Sequence, residues 1–161
     1  MRVVLKYYSQ DGKIHIDLTW RNTSLDVFIH LCRNITSKLL DEVKLRAIRQ
    51  DDPITLIPVT LVETPLQLIQ GAIYYKIYSS RITRTRNKGL LLASMSLGIK
   101  QLNELVDKLG SEVEKGVDYY LVSVDTEPVV TNSCNPADLS GVEDKSLRAL
   151  VKNTQFIISM I

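Results

Sequence analysis

Between Thr64 and Asn103 the chain runs forty residues without one aspartate or glutamate. Lys76, Arg81, Arg84, Arg86, Lys88 and Lys100 all fall in that window. It therefore carries +6 in a protein of net charge +2, and the other 121 residues sum to −4. Other scarcities narrow the function. Two cysteines, Cys32 and Cys134, are too few for a disulfide framework and match no zinc-ligand spacing. A bridge between them is one reading, and two free thiols are the expectation for an intracellular chain. No apolar run approaches the roughly 20 residues of a membrane span. Residues 1–6 lack the apolar core of a signal peptide, so the protein is expected to be cytoplasmic with no membrane partner. No glycine-rich phosphate loop of the GxxxxGK or GxGxxG kind occurs.

What is present describes an ordinary globular chain. Its 161 residues suit one domain spanning 1–161, and a chain of that size buries roughly 70% of its unfolded surface. Residues 2–8 and 13–19 alternate apolar with polar around Gln10-Asp11-Gly12, which predicts a β-hairpin. Ile14, Ile16 and Leu18 face the core in this reading, and Trp20 is a core or edge anchor. Leu25, Phe28, Ile29 and Cys32 recur at helical steps after a capping Thr23 or Ser24, so a helix is expected there. A second helix, capped by Ser37, carries Leu39, Leu40, Val43, Ala47 and Ile48 up to Asp51-Asp52-Pro53. Ile54–Val62 reads as a strand, with Pro58 favouring an edge.

Thr64-Pro65-Leu66-Gln67 is the clearest helix start. A capping threonine precedes proline at the first helical position, and Gln67 completes a capping box. That helix runs to about Tyr78 on Leu66, Ile69, Ile73 and Ile77. Further helices are expected over Leu90–Leu97 and Ile99–Leu109, the latter burying Ile99, Leu102, Val106 and Leu109 before Gly110. Asp118–Asp125 reads as a strand, 126–140 as a loop, and Ser140-Gly141-Val142-Glu143 as the cap of a last short helix. The apolar end, Phe156–Ile161, needs burial. The fold class is α/β mixed (α+β): a small mixed sheet packed with a helical bundle.

Catalytic groups are sparse. His30 and Cys32 are two apart and would diverge on a helix, so they form no nucleophile–base pair there. The acidic pairs Asp41-Glu42, Asp51-Asp52 and Glu143-Asp144 sit at helix ends or on polar faces, where capping and dipole matching account for most of them. No catalytic constellation, metal, cofactor or small-molecule substrate is expected. A segregated positive field on a helical scaffold points instead to a phosphate-bearing partner. Thr83, Thr85 and Asn87 are able to bond phosphate or sugar, and Tyr74, Tyr75 and Tyr78 stand close enough for one to stack on a base. An acidic neighbour from elsewhere in the fold is the competing explanation of the charge.

A strand leads into a capped helix, a basic linker and a leucine-rich helix. Then follow Ser96-Leu97-Gly98-Ile99-Lys100-Gln101-Leu102 and, later, Leu109-Gly110. This pattern resembles the small kinase-binding subunit of the KEOPS (EKC) complex, the family of the PRPK-binding protein, in an archaeal-like form. Gly98, Lys100, Gln101, Leu102 and Gly110 occupy the family's positions, Tyr119–Val124 fits its next strand, and the likeness covers about Leu56–Asp125. It implies a non-catalytic subunit that binds and stimulates a small kinase-like ATPase. It further implies recruitment of tRNA by its 3′ CCA end for threonylcarbamoyladenosine modification. The six cations named above would then meet tRNA, and Leu91, Met95, Gln101 and Leu105 the kinase. The alternative is a protein-interaction module without nucleic-acid binding.

Overall fold

The computed structural model describes residues 3–8, 10–82, 85–110, 115–128, 133–139, 153–154 and 158–159. The expected hairpin forms from β1 (Val3–Tyr8) and β2 (Lys13–Leu18), with Val3 opposite Leu18 and Tyr8 opposite Lys13. Its core side is as read: Ile14, Ile16 and Leu18 are buried. Trp20 is exposed in a 3-10 turn over Thr19–Arg21, not an anchor.

Thr23–Cys32, expected as a helix, is instead the central strand β3. Leu25, Val27 and Ile29 are buried on one face, and Phe28, His30 and Cys32 on the other. A strand covered on both sides reads as a continuous apolar run, so its two-residue period is hidden and helical spacing appears by accident. On one side β3 pairs with β2 and then with a short β6 (Cys134–Pro136), inside the stretch expected to be a loop. On the other it pairs with β5 (Tyr119–Val124), followed by β4 (Ile54–Pro58). Every described pairing is antiparallel, so the sheet is not mixed in strand direction. Pro58 lies on the edge strand, where a residue without an N–H is tolerated.

Helices cover both faces, and the fold is α+β. Helix α1 (Ser37–Arg49) packs Leu40, Val43 and Ala47 on Ile54, Leu56, Tyr119 and Leu121. Its cap is Thr36, whose Oγ1 accepts the Leu39 N–H at 3.2 Å, rather than Ser37. Ile48 lies outside the interface, 61% exposed. On the opposite face lie α2 (Leu66–Tyr78), α3 (Lys88–Leu97) and α4 (Leu102–Gly110). Half of the box that starts α2 forms, since Gln67 Oε1 accepts the backbone N–H groups of Glu63 and Thr64 at 2.7 and 3.0 Å. Thr64 Oγ1 accepts the Leu66 N–H at 3.3 Å, and Pro65, expected as the first helical residue, stands in the N-cap place. The most buried side of α2 is Gln67, Leu68, Gly71, Ala72 and Tyr75, one step round from the expected stripe, of which Ile69 is buried and Leu66, Ile73 and Ile77 half-buried. Gly98 stops α3 in the left-handed region at φ 64°, a conformation that disfavours any Cβ.

Cys32 and Cys134 are joined as a disulfide across β3 and β6, which overturns the expectation of free thiols. Strand pairing brings the two cysteines into register, and no local sequence signal encodes that. In α4, Leu105 and Leu109 are buried, whereas Val106, expected inside, is 41% exposed. The helix expected from Ser140 and most of the apolar end lie outside the described residues; Ile158, which is described, is exposed. Among the described residues no helix is long and apolar enough to cross a membrane.

Candidate nucleic-acid interface

The basic window becomes the junction of α2 and α3. The end of α2 carries Lys76, a 3-10 turn over Ser79–Arg81 follows, and the chain enters α3 at Asn87. Asn87 Oδ1 caps that helix by accepting the Leu90 N–H at 3.1 Å, while Thr85 Oγ1 accepts the Asn87 N–H at 3.0 Å. Thr85 and Asn87 are thus both engaged in shaping the turn. Between the two helix ends opens a groove of about 530 Å³. Asp51, Ser79, Ser80, Thr85, Arg86 and Lys88 line it, over Tyr75, Ile82 and Leu91.

The cations are not equivalent. Lys76 Nζ pairs with Asp125 Oδ2 at 2.5 Å, and Lys88 Nζ with Asp51 Oδ2 at 2.7 Å. Both acids come from one end of the sheet, since Asp51 precedes β4 and Asp125 follows β5. Two of the six charges are therefore compensated by carboxylates from outside the acid-free window. Arg81 and Arg86 are exposed, and no carboxylate among the described residues pairs with either. Arg84 and Thr83 lie outside the described residues. Lys100 is exposed beyond the far end of α3, about 15 Å along the helix from Lys88, so it belongs to a different surface.

The tyrosines divide in the same way. Tyr75 is core, only 7% exposed, and lines the floor of the groove. Burial, followed by the nearby charge of Asp51, pushes its pKa up to about 12, against a hydrogen bond with Ser79. It stays a neutral donor throughout the physiological range. Tyr74 and Tyr78 are half-buried, with rings tilted at 51° and centroids 6.2 Å apart. The Arg21 guanidinium stands 6.0 Å from the Tyr78 ring, and the Tyr74 hydroxyl bonds Thr154 Oγ1 at 3.0 Å. Tyr78, flanked by a cation, is the side chain best placed for stacking.

The residues expected to meet a kinase are placed differently from that expectation. Leu91, Met95 and Leu105 are at most 4% exposed and belong to the core, so none presents its side chain to a partner. Gln101 is exposed on the link between α3 and α4. A helix as apolar on all sides as α3 is buried on all sides, and that signal was in the sequence.

Sequence reading missed a polar cluster on the open face of the hairpin. His15 Nδ1 meets Asp26 Oδ1 at 2.6 Å, and its Nε2 meets Asp17 Oδ1 at 3.2 Å. The Asp26 hydrogen bond is the main reason its pKa is raised from 6.5. Taking Thr23–Cys32 as a helix concealed Asp26, which faces His15 only in the strand register. The same strand puts His30 and Cys32 on one face, though Cys32 is bridged and offers no thiol. No family model matches the chain, and no curated protein is similar enough to count as a relative.

Proposed function

We propose that this protein is a non-catalytic KEOPS subunit that binds and stimulates the small kinase-like ATPase and holds tRNA by its single-stranded 3′ CCA end. The observation carrying the reading is Arg86, which lines an open groove with hydroxyl donors, together with Arg81 at the end of the turn whose Ser79 and Ser80 also line it. Both arginines are solvent-exposed without carboxylate partners among the described residues. Cations so placed attract a phosphodiester backbone, and Tyr78 supplies a ring face for an unpaired base. The resemblance over Leu56–Asp125 supports the assignment to that complex, with strand, capped helix, basic linker, leucine-rich helix, Gly98 corner, helix and strand following in the family's order. A cytoplasmic location accompanies this proposal. Kinase docking is assigned to the surface around Gln101, since its hydrophobic neighbours in the sequence motif are interior.

A second reading, a protein-interaction module without nucleic acid, draws on the pairing of Lys76 and Lys88 with aspartates, which reduces the net field. Two experiments separate them. Intact tRNA should bind the isolated chain, removal of CCA should weaken binding, and truncation of the anticodon arm should not. Equal loss from both truncations contradicts end recognition. Co-elution with a KEOPS kinase, abolished by Gln101→Glu together with Lys100→Glu, tests the second surface. Unaltered co-elution of that variant removes it.

A further inference from the structure

Building on the RNA reading of the groove between α2 and α3, we propose that Asp51 selects there for the free 2′,3′-diol of a terminal ribose, so that uncharged tRNA binds in preference to aminoacylated tRNA. A carboxylate is out of place in a site for phosphate alone. Asp51 lines the same groove as Arg86, Ser79, Ser80 and Thr85, and its charge repels a phosphodiester. What it fits is a group that donates a proton to it.

The ion pair with Lys88 does not exhaust either partner. Asp51 Oδ2 holds Lys88 Nζ at 2.7 Å, with the two side chains 63% and 40% exposed. An ionised carboxylate has about four lone-pair sites and an ammonium three protons, so one mutual bond leaves both with bonding capacity. A hydroxyl donates and accepts at once, and two adjacent hydroxyls match a carboxylate set beside an ammonium. A phosphodiester carries no proton at neutral pH and is matched instead by Arg86, exposed on the same groove. Sugar and phosphate thus each find a partner. The space suits one nucleotide, since small-ligand pockets run about 300–1,000 Å³ and this groove is about 530 Å³. Its floor of Tyr75, Ile82 and Leu91 is at most 7% exposed and offers an apolar surface to the C–H face of a sugar. Both ribose hydroxyls are free only at a 3′ end, because every internal O3′ is esterified to phosphate. Aminoacylation esterifies one of the two, which removes a donor and adds bulk.

Titration of the full chain with four tRNAs that share one body tests the proposal. One ends in ordinary CCA, one in 2′,3′-dideoxyadenosine, one carries an amino acid through a stable 3′-amide, and one lacks CCA. Wild type is compared with Asp51→Asn. Asp51 sits in the left-handed region at φ 56°, which asparagine also tolerates, so the variant keeps the backbone. Wild type should bind the dideoxy and amide ends at least about tenfold more weakly than the diol end, as expected for loss of a hydrogen bond to a charged group. In Asp51→Asn the ratio of diol to dideoxy affinity should fall to about one. The ratio is the readout, because loss of a negative charge raises affinity for any RNA. Equal binding of the diol and dideoxy ends by wild type overturns the proposal. That equality is what a base amino group, the other donor a carboxylate accepts, would give. If removal of CCA still weakens binding in that case, recognition of the end stands without the diol. If removal of CCA has no effect, the RNA reading of the groove falls and the diol with it. A ratio that persists in Asp51→Asn also overturns the assignment.

Discussion

Gly71 is where α2 and α3 meet. A Cβ there would stand 2.3 Å from Ser96 Oγ and 2.6 Å from Ser96 Cα, so a side chain requires the helices to move apart. The contact is reinforced by the Ser96 carbonyl, which accepts from Gln67 Nε2 at 3.3 Å and from Asn153 Nδ2 at 2.6 Å. Gly71→Ala should cost about 1–3 kcal/mol in chemical denaturation, and an unchanged midpoint contradicts so close a crossing. His15 acts through charge. Its folded pKa is raised, chiefly by the Asp26 bond, so its contribution to stability is complete below the unfolded value of 6.5. That contribution fades as pH rises through the folded value. His15→Gln should remove this slope, so the difference in melting temperature between wild type and variant should shrink from pH 5 to pH 8. A constant difference contradicts the pairing. No residue pattern announced this cluster, because His15 and Asp26 meet only through strand register.

Elements with a local start signal were legible. Gln67 made α2 readable from four consecutive residues, and Gln10-Asp11-Gly12 did the same for the hairpin. β3 was not legible, since burial on both faces erased the alternation that marks a half-buried strand. β6 was not legible either: three residues containing Asn-Pro resemble a loop, and only pairing with β3 makes them a strand. That pairing carries a bridge between residues 102 positions apart. In the chain-entropy account, closing such a loop constrains the unfolded state by about 4–5 kcal/mol. The double variant Cys32→Ser, Cys134→Ser should therefore melt roughly 10–15 °C lower, with the sheet still formed below the transition. A melting temperature within error of the oxidised wild type rules out the bridge as a stabiliser.

Across the whole molecule, charge is arranged less simply than the acid-free window implies. The basic stretch was evident in the sequence, but its compensation was not. Asp51 and Asp125 are distant in the chain and reach Lys88 and Lys76 only once β4 and β5 lie side by side. The fold leaves Arg81 and Arg86 exposed at that end without ion-pair partners among the described residues, and Arg86 lines the groove. Lys100, beyond the far end of α3, belongs to a separate surface. Affinity for RNA should accordingly rest on few phosphate contacts and be moderate in its salt response.

A titration of tRNA across ionic strength, on wild type and on Arg81→Glu with Arg86→Glu, tests the central claim most directly. With about two or three phosphate contacts to a single strand, log affinity should fall against log salt with a slope of roughly −1.5 to −2. The double variant should bind at least about tenfold more weakly and with a shallower slope. Binding that ignores salt, or a double variant that matches wild type at every concentration, contradicts the assignment of this groove to RNA.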